Sequence, residues 1–187
     1  AYRLIKKKVE SVSIDYSIQL NKQIPIGSGL GGGSSNAATT LTVLNNLWEL
    51  NLTFNELETI GKSLGSDVPF FIRGGVQLIE GIGDIIKPID PSPVKNLHFI
   101  LVVPPIHVST SWAYSKLNKT LQPYISYHKF SPLSKPMNWE LFDNDFEQVI
   151  YETYPEIGKI KTSLQKAGAM YAGLSGSGST VFGVFDN

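Results

Sequence analysis

The sequence of 187 residues contains no cysteine at all. This absence excludes a disulfide scaffold, thiolate-bound zinc, iron–sulfur clusters and catalysis by a thiol. An excess of charge of one sign is also lacking, because 16 Lys and Arg residues balance 16 Asp and Glu residues. A chain without net charge has no overall field that would draw it to nucleic acid or to an anionic membrane, and we expect neither as a partner.

Long apolar runs are missing too. The stretch from Phe99 to Val103 is far too short to cross a bilayer, and Pro104 and Pro105 end it. With 42% hydrophobic and 17% charged residues, the composition is that of a folded soluble protein rather than a disordered one. The length suits one or two domains and allows a buried core that needs no metal or covalent crosslink.

A segment rich in glycine is the most informative feature that the sequence does contain. Five of the seven residues from Gly27 to Gly33 are glycine, and two serines follow directly. Apolar residues alternate with polar ones from Ser11 to Ile26, which predicts a strand before the glycines. Apolar spacings of three and four from Ala37 to Leu50 predict a helix after them, capped by one of residues 34–36.

A strand, a glycine run, two hydroxyl side chains and a helix together predict a cradle for phosphate. Glycine lets the backbone adopt positive φ and approach a ligand closely. Consecutive N–H groups then point into one concavity, and the start of the helix adds about half a positive charge. The hydroxyls of Ser34 and Ser35 suit phosphate or Mg²⁺, and they suit helix capping about equally well.

Three other interpretations of the glycine run compete with the cradle. A Walker A loop requires Lys and then Ser or Thr after the last glycine, and Ser34 stands in that place, so this interpretation fails. A dinucleotide-binding fingerprint matches at Gly27, Gly29 and Gly32. It also requires a second strand that ends in an acid, and Glu49 instead closes the predicted helix. A flexible hinge is the third interpretation, and the flanking strand and amphipathic helix argue against it.

The rest of the chain predicts a mixture of helices and strands. A capping box formed by Thr53 and Glu56 opens a helix that runs to Leu64. Asp67, two residues ahead of Pro69, marks the start of another helix. Residues 90–93, with the sequence Asp-Pro-Ser-Pro, are the best candidate for a linker. We further predict strands over 76–79, 82–89, 97–103 and 180–185, helices over 147–154 and 157–167, and loops over 121–136.

Five motifs in a fixed order carry a family resemblance. The segment from Pro25 to Ala38, PIGSGLGGGSSNAA, resembles the phosphate motif of the GHMP small-molecule kinases. The other four motifs are Leu64 to Phe71, LGSDVPFF; Glu80 to Asp84, EGIGD; Asn144 to Glu147, NDFE; and Leu174 to Phe182, LSGSGSTVF. Together they span nearly the whole chain.

The resemblance implies an α+β fold of two domains, with ATP between them. The N-terminal domain, of the type called ribosomal protein S5 domain 2-like, would comprise residues 1–92, and a ferredoxin-like C-terminal domain would comprise residues 93–187. Both domains would be incomplete. The resemblance therefore predicts that the chain is an internal piece, with the family's catalytic lysine and most of its substrate contacts upstream of Ala1.

The resemblance also implies roles for particular residues. Asp67 would be the catalytic base, whereas an aspartate at this kind of position is otherwise more often a helix cap. The turn from Ser175 to Ser179 would lie against the phosphate loop and help to fix its shape. The ATP-binding residues would be Pro25, Ile26, Gly27, Ser28, Gly29, Leu30, Gly31, Gly32, Gly33, Ser34 and Ser35, and no residue is assigned to a metal.

Within the family, the triple glycine before two serines resembles the members that act on 4-diphosphocytidyl-2-C-methyl-D-erythritol. The resemblance implies that ATP, with Mg²⁺, phosphorylates the 2-hydroxyl of that compound in the non-mevalonate route to isoprenoid precursors, in bacterial cytoplasm or plastid stroma. Another small-molecule substrate of the family, or nucleotide binding without catalysis, stays open. A substrate that carries cytosine would also suit an aromatic shelf, for which Trp112, Tyr114 and Trp139 are the unassigned candidates.

Overall fold

The computed structural model describes residues 1–7, 17–81, 83, 85–117 and 137–186. The predicted loop over 121–136 lies outside this description, as do the first part of the predicted strand, residues 11–16, and both Ile82 and Asp84 of the third motif. In the part of the chain so described, no helix combines the length and the apolar character that crossing a bilayer requires.

The chain divides into two compact units. The first unit consists of residues 1–23 and 31–90, and the second of residues 24–30 and 91–187. The glycine run therefore passes from the second unit to the first at the peptide bond between Leu30 and Gly31. The assignment of residues 1–92 and 93–187 to the two family domains stays a prediction.

Helices dominate the first unit. Its elements are α1 Tyr2–Lys6, α2 Gly32–Leu47, α3 Phe54–Lys62, α4 Val68–Arg73, and the antiparallel strands β1 Gln77–Glu80 and β2 Ile85–Pro88. Leu41 and Leu44 lie on the inner face of α2 and are almost completely buried. They share one apolar cluster with Ile5 of α1, Leu57 of α3 and Val68 of α4. The spacing of apolar residues along α2 thus fixes which of its faces the other helices cover.

Local sequence signals explain where two of these helices begin. Thr53 Oγ1 accepts a hydrogen bond from the backbone N–H of Glu56 at 3.3 Å, and Glu56 Oε2 accepts one from the Thr53 N–H at 2.8 Å. This arrangement confirms the predicted capping box. α4 begins directly behind Asp67, with Pro69 in its first turn, where the missing N–H of proline has no helical partner to lose.

The second unit is a small sheet with helices. Its elements are β3 His98–Val102, α5 Thr110–Lys116, a 3₁₀ turn Trp139–Leu141, α6 Phe146–Thr153, α7 Pro155–Lys166, β4 Tyr171–Leu174 and β5 Val181–Phe185. The strands form an antiparallel sheet in the order β3-β5-β4. Ile150 of α6 and Ile157 of α7 are fully buried in one apolar cluster with Val181 of β5. Neither α5 nor β4 was predicted from the sequence, because both are short and lack a clear period.

Two predictions around the glycine run were wrong. Residues 17–26 form no strand, and Ile18 and Leu20 are 57% and 59% exposed. The described residues offer no neighbouring strand with which this segment pairs, and an unpaired strand is not stable in water. The helix after the glycines begins at Gly32 rather than Ala37, so residues 34–36 lie inside its first turns and do not cap it.

The dinucleotide-binding interpretation is also wrong. That fold requires a strand directly after the helix that follows the glycines. In this chain α2 is followed by a second helix, α3.

Candidate active site

Positive φ angles recur along the glycine run. Gly27, Gly29 and Gly31 have φ values of +73°, +77° and +61°, a region that side chains with a Cβ atom rarely adopt. The irregular part of the run thus depends on glycine at alternate positions. It ends at Gly31, which is the N-cap residue of α2.

The first half of the run lies directly against a second glycine-rich turn, within one unit. Ser175 Oγ donates a hydrogen bond to the carbonyl of Gly29 at 2.9 Å, and the Thr180 N–H donates one to the carbonyl of Ser28 at 3.0 Å. The contact between loop and turn that the resemblance implied is therefore present. A Cβ atom built on Gly29 would lie 2.1 Å from the Ser175 carbonyl oxygen and 2.8 Å from that of Gly178. The backbones touch so closely that only glycine fits at position 29.

His107 contacts the start of the glycine run. Its Nδ1 lies 3.2 Å from the carbonyl oxygen of Ile26, and its ring occupies the space where a Cβ of Gly27 would project, 2.2 Å away. The sequence analysis missed this residue, because a lone histidine after two prolines carries no spacing signal. Only the path of the chain brings His107 to the glycines.

The second half of the run presents the start of α2. The Ser35 N–H bonds to the carbonyl of Gly31 at 2.9 Å, and no side chain caps this end. The N–H groups of Gly32, Gly33 and Ser34 precede that first helical bond and have no partner within the helix. Such a helix start favours an anion, both through its free N–H groups and through the helix dipole.

Asp67 belongs to the same unit as the start of α2. It occupies the N-cap position of α4 and is exposed, yet its carboxylate makes no capping hydrogen bond to the helix. Asp67 Oδ1 instead accepts a hydrogen bond from Ser66 Oγ at 3.1 Å. The carboxylate therefore stays accessible to a ligand, whereas the capping role would have engaged it with backbone N–H groups.

Two close contacts link the neighbourhood of Asp67 to the start of α2. A Cβ built on Gly31 would lie 2.7 Å from the ring of Phe71 in α4. A Cβ built on Gly65, two residues before Asp67, would lie 3.9 Å from Ser34 Oγ. The two segments are thus neighbours in the fold, although no contact joins the Asp67 carboxylate itself to the glycine run among the interactions described.

The oxygen donors near α2 are suited to magnesium. Within the described residues, no group of three or more His, Asp and Glu side chains is placed to hold a metal ion. Ser34 and Ser35 offer hydroxyl oxygens, the type of ligand that Mg²⁺ accepts. Mg²⁺ usually keeps several waters and phosphate oxygens and needs one or two protein ligands, so this donor set fits an ion that arrives with a nucleotide.

The three unassigned aromatic residues differ in exposure. Trp112 packs edge-on against Tyr154 and joins the core of its unit, and Trp139 stacks on Tyr171 with ring centroids 5.6 Å apart. Tyr114 is 62% exposed and has only an edge contact to Phe146 described for its ring. Of the three, Tyr114 is the most exposed to solvent.

Comparison with known proteins adds the family context. Residues 1–75 match the model of the GHMP kinases N terminal domain, and residues 121–187 match that of the GHMP kinases C terminal domain. The 4-diphosphocytidyl-2-C-methyl-D-erythritol kinase of Thermodesulfovibrio yellowstonii is 42% identical over an alignment of 201 positions, which covers 100% of this chain and 68% of the relative. The kinase of the same name from Azobacteroides pseudotrichonymphae is 45% identical over an alignment of 191 positions, which covers 99% of this chain and 68% of the relative.

A solved structure agrees with these relatives. The crystal structure of a 4-(cytidine 5'-diphospho)-2C-methyl-D-erythritol kinase matches with a TM-score of 0.68 and 28% sequence identity. The match covers 89% of this chain and 60% of that protein. The chain thus spans between 60% and 68% of the length of these three similar proteins.

Proposed function

Because the chain belongs to the GHMP kinases, a family of small-molecule kinases, we propose that it transfers the γ-phosphoryl group of ATP to the 2-hydroxyl of 4-diphosphocytidyl-2-C-methyl-D-erythritol. Family membership confirms the resemblance that the five motifs predicted. The observation that carries the substrate is the sequence identity, over essentially the entire chain, to kinases named for this compound. The geometry of the glycine run supports the phosphoryl donor.

The glycine run would hold the triphosphate of ATP. Phosphoryl transfer depends on positioning and on neutralising charge more than on covalent chemistry. The free N–H groups at the start of α2 would donate to phosphate oxygens as negative charge moves toward the leaving group. The remaining residues from Pro25 to Ser35 would shape the same cradle. Mg²⁺, when bound with ATP near Ser34 and Ser35, would add neutralisation of the phosphate charge.

Asp67 would act as the base. Its exposed carboxylate would accept the proton of the substrate hydroxyl while that oxygen attacks the γ-phosphorus. The bond between the γ-phosphorus and the bridging oxygen breaks, and ADP leaves with the electron pair. The products are ADP and the phosphorylated alcohol, with the proton left on Asp67.

A substrate panel tests the proposed function. The full-length protein is incubated with ATP and one alcohol at a time, in four separate reactions. The alcohols are 4-diphosphocytidyl-2-C-methyl-D-erythritol, homoserine, mevalonate and galactose. We expect ADP release with the first compound alone, and a phosphorus spectrum that shows a new phosphomonoester. Transfer to one of the other alcohols instead would overturn the proposed substrate. Tight binding of a non-hydrolysable ATP analogue with no transfer to any alcohol would overturn the catalytic proposal.

Tyr114 provides a second test, aimed at the cytosine of the substrate. Stacking of a base on an aromatic ring is worth about 1–3 kcal/mol, so we expect Tyr114→Ala to raise the KM for the alcohol substrate by about tenfold or more. The KM for ATP should stay unchanged. Tyr114→Phe keeps the ring and should behave like the wild type. An equal effect of both substitutions, or none of either, would remove Tyr114 as the shelf.

A further inference from the structure

The NDFE motif has no part in the proposed chemistry. Asn144, at the start of the NDFE segment, uses its side-chain amide completely. Asn144 Nδ2 donates to the carbonyl of Leu174 at 2.8 Å and to that of Gly176 at 2.9 Å. Asn144 Oδ1 accepts from the Phe146 N–H at 2.9 Å, at the first turn of α6. The two donor contacts reach across to a distant segment, while the acceptor contact is local.

Glu147 of the same motif also binds the segment around Leu174. Its Oε1 accepts the N–H of Leu174 at 2.9 Å and the hydroxyl of Tyr151 at 3.0 Å. Its Oε2 pairs with Lys161 Nζ at 2.5 Å, and both side chains of this pair are largely buried. Burial, and next the charge of Glu147, raise the pKa of Tyr151 well above its ordinary value, so its phenol remains a donor. The carboxylate is therefore fixed from three sides.

Leu174 directly precedes the turn Ser175–Ser179, to which Gly176 belongs and against which the first part of the glycine run lies. The motif binds both the N–H and the carbonyl of Leu174, the last residue of β4. The next residue, Ser175, donates to the carbonyl of Gly29 at 2.9 Å. The backbone of Gly176 is held to Asn144 on one side and approaches Gly29 on the other, where a Cβ would lie 3.3 Å from the Gly29 oxygen. All of these residues lie within one unit.

We propose that Asn144 and Glu147 are positioning residues for the glycine run. The two residues act as a clamp, because they fix the turn Ser175–Ser179, against which Ser28 and Gly29 rest. The proposal rests on the proposed function, because it assumes that the glycine run binds phosphate. Main-chain N–H groups recognise a phosphate only when their directions are fixed beforehand. Gly29 has no side chain with which to anchor itself, so its direction is set by the turn. The amide of Asn144 and the carboxylate of Glu147 hold this turn in place.

A purely local role in starting α6 is the competing explanation, and substitutions at Asn144 separate the two. Asn144→Asp keeps an oxygen for the Phe146 N–H but replaces the Nδ2 donor with a second acceptor that faces the carbonyls of Leu174 and Gly176. Asn144→Ala removes both functions without adding charge. A residue that only starts the helix would tolerate Asp and suffer from Ala, whereas a clamp fails with both.

The experiment measures binding of a non-hydrolysable ATP analogue to the full-length protein by calorimetry, with Ile157→Val as the control. Ile157 is fully buried in the apolar cluster of the same unit, and its side chain makes none of the hydrogen bonds described above, so this variant reports a loss of core packing with those hydrogen bonds kept. We expect both Asn144 variants to raise the Kd about fivefold to tenfold or more, which corresponds to the loss of one or two hydrogen bonds. The KM for ATP should rise likewise, with an unchanged KM for the alcohol.

Glu147 gives an independent arm of the test. Glu147→Gln retains an oxygen for the Leu174 N–H and should keep most of the nucleotide affinity, whereas Glu147→Ala should lose it as the Asn144 variants do. Faster amide hydrogen exchange at residues 27–30 in Asn144→Asp, measured without nucleotide, would support the clamp by a readout that needs no activity.

The outcomes separate this proposal from the one on which it rests. Wild-type protein that fails to bind the ATP analogue would overturn the proposed function and the clamp together. Wild-type binding with unchanged affinity in Asn144→Asp would overturn the clamp alone. A loss in Asn144→Asp without a loss in Asn144→Ala would point to added charge and would also overturn it, as would an equal loss in Ile157→Val.

Discussion

Replacing Asp67 with asparagine in the full-length protein is expected to lower kcat by about 10² to 10⁴-fold, the usual range for loss of a general base. The KM for ATP should change by less than about twofold, because the glycine run and not this carboxylate would bind the phosphates. Asparagine is as good a residue at a helix start as aspartate, so the fold should not suffer. Steady-state kinetics with varied ATP and varied alcohol would measure both quantities.

A matched control guards this prediction against a general effect of lost negative charge. Glu156 is an exposed carboxylate in the first turn of α7, in the other unit. Glu156→Gln removes the same charge and should leave kcat unchanged. Near-normal turnover of Asp67→Asn would remove the assignment of Asp67 as the base and restore the simple role of a residue that precedes a helix.

The second large effect concerns Gly29. Alanine at this position would place its methyl group within 2.1 Å of one backbone oxygen and 2.8 Å of another, at a φ of +77°. Neither carbonyl can rotate away as a side chain would, so the loop and the turn must separate. A displacement of about 1 Å at an active site lowers the reaction rate by on the order of 10²-fold. We expect the affinity for the ATP analogue to fall as well, because the loop would no longer rest on the turn. Calorimetry on protein shown by circular dichroism to be folded would measure it.

Gly168 supplies the control for this substitution. It has a φ of +97°, but a Cβ built there would meet nothing within 4 Å. Gly168→Ala therefore incurs a similar conformational cost, about 1–2 kcal/mol of folding free energy, without a steric clash. We expect its affinity for the analogue to equal that of the wild type. Equal affinities in Gly29→Ala and Gly168→Ala would show that the contact between loop and turn does not matter for binding.

Local signals in the sequence predict the local structure well. The capping box of Thr53 and Glu56 and the start of α4 behind Asp67 both formed as predicted, because each depends on residues only a few positions apart. The strands predicted over 76–79 and 82–89 also formed, as β1 and β2, since each is a short apolar run next to glycine. The start of α2 was misplaced, because glycine's weak helix propensity conceals that Gly32 and Gly33 adopt helical angles.

Contacts between distant segments were beyond what spacing alone can predict. The hydrogen bonds from Asn144 to the turn, and the position of His107 beneath Gly27, join residues far apart in the chain that carry no common period. The sequence analysis identified Asn144 and Glu147 as part of a family motif, but it did not predict their contacts with the turn. The predicted roles of Asp67 and of residues 25–35 stay predictions until the experiments above are done.

The glycine run has few side chains, and this bears on which nucleotide the protein would select. From Gly27 to Gly33 the only polar side chain is that of Ser28, and it is buried. If this stretch binds the nucleotide as proposed, it would do so through peptide N–H groups, which respond to the spacing and charge of a polyphosphate and not to the purine attached to it. Discrimination between adenine and guanine must therefore come from side chains elsewhere in the protein, and free tripolyphosphate should compete for this stretch as readily as any nucleotide tail.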